Sequence, residues 1–207
     1  MRANVDALMV GINTVIVDNP LLTNRSGVGS SPIRVIVDSK LSIPASSRVL
    51  RDLSKYQTLI ACTHRAPLQR IALLERTGAR VLVVGEEQKR RGNVPAGRVE
   101  LVHLLRILKD QEGIERLLLE GGSELNWSMV SEGLVDELRL TIAPVLIGGT
   151  FSKSLIGGEG FPSVQESVAL RLLDFGVVKG TGEVLLRYGL KPLHKKKSKK
   201  ATVRSVI

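Results

Sequence analysis

Residues 116–133 read RLLLEGGSELNWSMVSEG. The apolar run 116–119 suits a buried strand. Gly121 and Gly122 follow at once, and residues 124–131 then carry a helical pattern closed by Gly133. A strand, a glycine turn and a helix in that order belong to an α/β sheet. The glycines permit close backbone approach, and the free amides at the helix start favour an anion. A dinucleotide pyrophosphate is the natural candidate. The pattern differs from GxGxxG, and an ordinary tight turn is the competing reading. Glu120 ends the strand, where a carboxylate points into the crevice that binds ligands in open α/β sheets. A helix-capping acid is the alternative role.

The same alternation extends outward. Strands are expected at 7–10, 33–38, 58–61, 80–84, 137–142, 168–175 and 184–188. Helical spacing places Leu68, Ile71, Ala72 and Leu74 on one face of 67–77. It does the same for Leu101, Leu104, Leu105 and Leu108 in 99–111. Alternating strands and helices predict parallel strands with right-handed crossovers. The last two strands have no helix between them and read as an antiparallel pair joined near Gly180 and Gly182. The first apolar run begins within a few residues of Met1, with nothing before it to pair with it.

Other strand ends carry chemistry of the same kind. In 11–25, Thr14 and Asp18 are four residues apart and share a face if the stretch is helical. Asn19-Pro20 would end it, and Arg25 could hold a phosphate with two parallel hydrogen bonds. Read alone, Asp18 and Arg25 suit surface polar positions equally well. Ser39 and Lys40 end the next strand and could meet a ribose or its 2′-phosphate; a plain turn is the alternative. Gly148-Gly149 and 157–160 suggest either a mobile loop over a site or a flexible connection.

Composition narrows the classes. The 207 residues are 43% apolar and 24% charged, which fits one globular domain with a tail. No apolar run approaches the roughly 18 residues of a membrane span, and no secretory signal is visible. Cys62 is the lone cysteine, so a disulfide within the chain is excluded and the cytoplasm is the expected compartment. His64, His103 and His194 lack zinc spacing, and no metal site is expected. Seven of the +10 net charges lie in residues 191–207, leaving +3 for 1–190. The division expected is thus a body, 1–190, and a basic, disordered tail, 191–207. The tail would attract nucleic acid only weakly and without sequence preference. Nucleotide-binding features with few acid–base groups suit hydride transfer, where a cofactor carries the chemistry.

Four stretches, in order, carry a resemblance: RANVDALMVGINTVIVDNPLLT from residue 2, PIRVIVDSKLSIP from 32, LLLEGGSELNWSMVSEGLVDELRLTIAPVLIGG from 117, and GEGF from 158. Together they resemble the riboflavin-biosynthesis reductases of the archaeal type, which act on 2,5-diamino-6-(ribosylamino)-4(3H)-pyrimidinone 5′-phosphate. The reductase domain of the bacterial bifunctional deaminase-reductase is a more distant likeness. The resemblance implies a dihydrofolate-reductase-like α/β fold: a mixed, mostly parallel sheet with helices on both faces. It implies NADPH, with NADH as the alternative, a phosphorylated pyrimidine substrate and a homodimer. Thr14, Asp18 and Ser39 match cofactor positions, as do Gly121, Gly122, Ser123, Glu124, Leu125 and Asn126. Leu22 and Arg25 match substrate positions, and Glu120 a substrate-binding acid that could serve the proton step. The family's opening strand, S/T-L-D-G-K loop and helix have no counterpart in this sequence. An inactive or nucleotide- or RNA-binding remnant of the fold is therefore the rival class.

Overall fold

The computed structural model describes residues 1–85, 97–149, 152, 154–190 and 203–207. Within the span read as one body, two compact units meet inside the glycine turn: residues 1–122 with 203, and residues 123–190 with 204–207.

The first unit is a parallel sheet of β1 (Ala7–Gly11), β2 (Ile33–Val37), β3 (Thr58–Cys62), β4 (Arg80–Val83) and β5 (Arg116–Leu119). Their order across the sheet is β4-β3-β2-β1-β5. β1 is central. It pairs with β2 on one side and β5 on the other, so its partners come from later in the chain. Ala7, Leu8, Met9 and Val10 are fully buried, which explains why the strand is apolar on both faces. Helices α1 (Ile12–Asp18), α2 (Leu68–Arg76) and α3 (Leu101–Asp110) belong to this unit. The heptad-like leucines of α3 behave as the spacing predicts, with Leu101, Leu104, Leu105 and Leu108 all buried. α2 departs from its pattern: only Leu74 is buried, and Leu68 is 81% exposed. A polar side chain ties this helix to the loop after β2. Arg70 donates from Nε to the Leu41 carbonyl at 3.1 Å and from Nη2 to that of Ile43.

The second unit begins with α4 (Ser123–Ser131) and continues through β6 (Glu137–Ile142), β7 (Leu170–Val177), β8 (Val184–Leu190) and β9 (Arg204–Val206). β8 lies antiparallel between β6 and β7, as the missing helix between the last two expected strands implies. A register shift interrupts β7 between Leu172 and Asp174.

β9 corrects one expectation. Residues 191–202 lie outside the described residues, but the last residues are ordered as a strand parallel to β6. The sequence Val203-Arg204-Ser205-Val206-Ile207 alternates in burial: Val203, Ser205 and Ile207 are buried while Arg204 is exposed. Four backbone hydrogen-bonding groups are satisfied there. Asp136 N donates to Ser205 O at 2.9 Å, and Arg139 N to Ile207 O at 2.7 Å. Ile207 N donates to Glu137 O at 2.9 Å, and Ser205 N to the Asp136 carboxylate at 2.9 Å. The adjoining lysines conceal this short alternating stretch when composition is averaged over the whole tail.

Candidate active site

β1, β2 and β5 run parallel, so the turns after their carboxyl ends open on one edge of the first unit. The turn after β5 is tied to β1: Glu120 N donates to Met9 O at 3.0 Å and Gly11 N to Gly121 O at 3.2 Å. Gly121 (φ 133°) and Gly122 (φ 82°) both lie in the glycine-favoured region. A Cβ on Gly122 would stand 3.5 Å from Thr14 Oγ1 and 3.6 Å from the Gly11 backbone. Thr14 and the turn are therefore neighbours, held by a helix that starts where β1 stops. Asp18 ends α1 on an exposed position.

The chain after α1 is held in an unusual conformation. Asn19 (φ 39°) and Leu22 (φ 57°) adopt left-handed backbone, and for Leu22 this costs roughly 1–2 kcal/mol. Burial of Leu22 at 2% exposure offsets the cost. The fully buried Arg34 supports this segment by donating to the Leu21 carbonyl at 3.4 Å. Arg25 lies beyond, exposed.

Glu120 has a partner that local sequence does not reveal. Arg2 donates from Nε to Oε1 at 2.8 Å and from Nη2 to Oε2 at 2.5 Å, across 118 positions of sequence. The third contact, from Nη1 to the Thr23 carbonyl at 2.8 Å, ties the same guanidinium to the segment that carries Leu22. Both side chains keep 25% of their surface, enough for a ligand to reach them. The hydrogen bonds to Glu120 hold the Arg2 guanidinium above its ordinary pKa despite the opposing effect of burial.

Ser39 sits in a tight turn after β2. Asp38, buried, accepts from Ser42 N at 2.9 Å and Ile43 N at 2.8 Å. Ser39 gives its carbonyl to Thr63 N at 3.1 Å, and its hydroxyl accepts from Val99 N at 3.3 Å. Ser39 thus stands at the same sheet edge as the glycine turn, with its own backbone partners. Cys62, at the end of β3, is fully buried, and burial with the nearby Asp38 pushes its thiol up to about 11.

In the second unit, the start of α4 is covered by the glycine-rich segment. Gly157 N donates to Ser123 O at 3.0 Å, Gly158 N to Glu124 Oε1 at 3.0 Å, and Asn126 Nδ2 to Leu155 O at 2.8 Å. A Cβ on Gly158 would fall 2.0 Å from Trp127 Cδ1, so only glycine fits there. Trp127 packs edge-on to Phe161 with ring centroids 4.8 Å apart. Leu125 is buried, and Asn126 Oδ1 is buried without a hydrogen-bond partner among the described residues.

With this geometry in view, residues 1–184 match the family model described as the RibD C-terminal domain. The chain is 43% identical over 175 residues to the 2,5-diamino-6-ribosylamino-4(3H)-pyrimidinone 5′-phosphate reductase of Methanothermobacter thermautotrophicus, covering 83% of this chain and 74% of that protein. It is 39% identical over 174 residues to the reductase of the same name from Aquifex aeolicus, covering 83% of this chain and 71% of that protein. Among solved structures, RibD of Acinetobacter baumannii superposes with a TM-score of 0.71 at 24% identity. The match covers 92% of this chain and 48% of that one, so this chain matches about half of that protein's length. The chain belongs to the RibD C-terminal domain family.

Proposed function

We propose that the chain is a reductase of riboflavin biosynthesis, converting the ribosylamino side chain of a pyrimidine 5′-phosphate to ribitylamino with NADPH. The observation that carries this reading is Glu120, held by Arg2 beside a two-glycine turn at the carboxyl edge of a parallel sheet. The names of the family relatives supply the substrate class.

The turn fits a nicotinamide dinucleotide. Apart from its chain neighbours, the only described atom within 4 Å of a Cβ on Gly121 is Thr14 Oγ1, at 3.8 Å, which leaves the backbone open to a pyrophosphate. Thr14, Asp18, Ser39, Gly121 and Gly122 would hold the cofactor. Bound there, the cofactor supplies a hydride. NADPH is preferred to NADH in this reading.

Leu22, Arg25 and Glu120 would hold the substrate. Arg25 suits the 5′-phosphate because a guanidinium can present two parallel donors to it. Arg2 occupies one lone pair of each Glu120 oxygen, and a carboxylate offers about four acceptor sites in all. Glu120 can therefore still accept hydrogen bonds from sugar hydroxyls or an N–H. Reduction of the open-chain imine adds the hydride to C1′, moves the C=N electron pair to nitrogen and requires one proton at that nitrogen. In this reading Glu120 or a water supplies that proton.

A homodimer belongs to the same reading. Leu172, Phe175 and Val177 line one face of β7 at 50%, 70% and 66% exposure, a patch suited to a second copy. Cytoplasmic residence is supported by the single, buried thiol. No helix among the described residues is long and apolar enough to cross a membrane. The direct test is consumption of NADPH in the presence of the ribosylamino pyrimidine phosphate.

A further inference from the structure

Between Thr23 and β2, residues 24–31 read NRSGVGSS, and every residue from Arg25 to Ser30 is exposed. Gly27 and Gly29 stand at positive φ, 72° and 75°. Two glycines in so short an exposed stretch would, by themselves, leave the loop mobile. A guanidinium carried on a mobile loop must be ordered each time it grips an anion, which weakens the grip.

One side chain closes this loop on itself. Asn24 Oδ1 accepts from Ser26 N at 3.0 Å and from Ser26 Oγ at 2.9 Å. Asn24 Nδ2 donates to Val28 O at 2.6 Å and to Ser30 O at 3.4 Å. Both ends of the amide are therefore used. At the base of the loop, Asn24 N donates to Ser31 Oγ at 3.1 Å. One residue earlier, the Thr23 carbonyl is held by Arg2 at 2.8 Å. A Cβ on Gly29 would stand 3.4 Å from Ala3 Cβ, so the loop lies against the short helical turn that carries Arg2. The backbone at Arg25 is thus fixed from both sides. Its side chain is exposed and makes no hydrogen bond or ion pair with the described residues.

We propose that Asn24 is a positioning residue that presets Arg25 for a phosphomonoester and so makes the chain select 5′-phosphorylated over unphosphorylated pyrimidine ribosides. This rests on the reading of Arg25 as the residue that holds the 5′-phosphate. Asn24 acts through the loop and need not touch the substrate. A preset loop lowers the ordering cost of binding and leaves the chemical step alone. Its loss therefore raises KM for the phosphorylated substrate and spares kcat.

The test uses the full chain, Asn24→Ala, Arg25→Ala and the double variant. Each is titrated calorimetrically with 2,5-diamino-6-ribosylamino-4(3H)-pyrimidinone 5′-phosphate and with the same compound lacking its phosphate. Melting curves confirm that these exposed-loop variants fold. The proposal predicts that Asn24→Ala weakens the phosphorylated compound about three- to tenfold, the net worth of one hydrogen bond. Affinity for the unphosphorylated compound stays the same, and steady-state kinetics show a raised KM with kcat retained. In the double variant the Asn24 change adds nothing to the Arg25 loss, because no guanidinium remains to be positioned. A loss that falls equally on both compounds, or that adds in full to the Arg25 loss, would overturn the proposal. A loss in Arg25→Ala with none in Asn24→Ala overturns the positioning role alone. An Arg25→Ala variant that binds the phosphorylated compound as tightly as the unaltered chain overturns the reading of Arg25 together with it.

Discussion

The guanidinium of Arg2 and the carboxylate of Glu120 meet through two parallel hydrogen bonds, the shorter at 2.5 Å, although 118 residues separate them in sequence. The same guanidinium reaches the Thr23 carbonyl. One side chain therefore ties the short helical turn before β1, the turn after β5 and the segment after α1 into one edge. Arg2 is a positioning residue for Glu120 whatever else it touches.

Replacing Arg2 with Ala removes charge-assisted contacts worth roughly 1.5–3 kcal/mol. Turnover efficiency is expected to fall about ten- to a hundredfold. Arg2→Lys keeps the charge but loses the paired geometry, and should recover only part of the loss. A steady-state comparison of kcat/KM for the two variants checks this. Equal activity in Arg2→Ala and the unaltered chain would refute the positioning role.

Gly122→Val places a β-branched side chain at φ 82° beside Thr14 and Gly11. The backbone term is about 1–2 kcal/mol, and the added methyls enter the space assigned to the pyrophosphate. Fluorescence titration should show NADPH affinity reduced at least tenfold in a protein that still folds. Unchanged affinity would move the cofactor elsewhere.

Arg25→Ala separates the two halves of the proposed crevice. Substrate affinity should fall about ten- to a hundredfold, while NADPH affinity changes little. Separate titrations of the two ligands decide the matter, and the reverse pattern would exchange the assignments.

Much of the first unit was legible from sequence. β1 and α3 have environments that repeat with the period of their own backbone, and their apolar residues report it. α2 was legible as a helix but not in its packing, because Arg70, rather than Leu68, reaches the sheet turn. The short strand β9 was hidden by the lysines before it. The glycine turn and Glu120 stood out because local chemistry marks them. Arg2 did not, because a contact over 118 residues leaves no local signal. Ser39 was placed at the correct edge, but its bonds to Thr63 and Val99 depend on tertiary neighbours.

Removing residues 204–207 should destabilise the chain, contrary to what a charged tail implies. Loss of the β9 hydrogen bonds and of buried Ile207 costs about 2 kcal/mol, which lowers Tm by roughly 4–8 °C. A thermal melt of the truncated chain checks this. An unchanged Tm would show that β9 contributes nothing to the fold.

The thiol of Cys62 supplies a pH-dependent prediction. Its folded value, about 11, lies above its unfolded value near 9.0, so the neutral form favours the native state. That contribution is complete below the unfolded value and is lost as pH rises through the folded one. At pH 8, a thiol reagent should label Cys62 only after denaturation. Rapid labelling of the native chain would contradict its burial.

The central claim is tested by following absorbance at the NADPH band after adding 2,5-diamino-6-ribosylamino-4(3H)-pyrimidinone 5′-phosphate to the full chain, alongside Glu120→Gln. The account predicts substrate-dependent oxidation of one NADPH per ribitylamino product formed, with Glu120→Gln slowed at least tenfold. A chain that binds both compounds and yields no ribitylamino product, or a Glu120→Gln variant as fast as the unaltered protein, would contradict it.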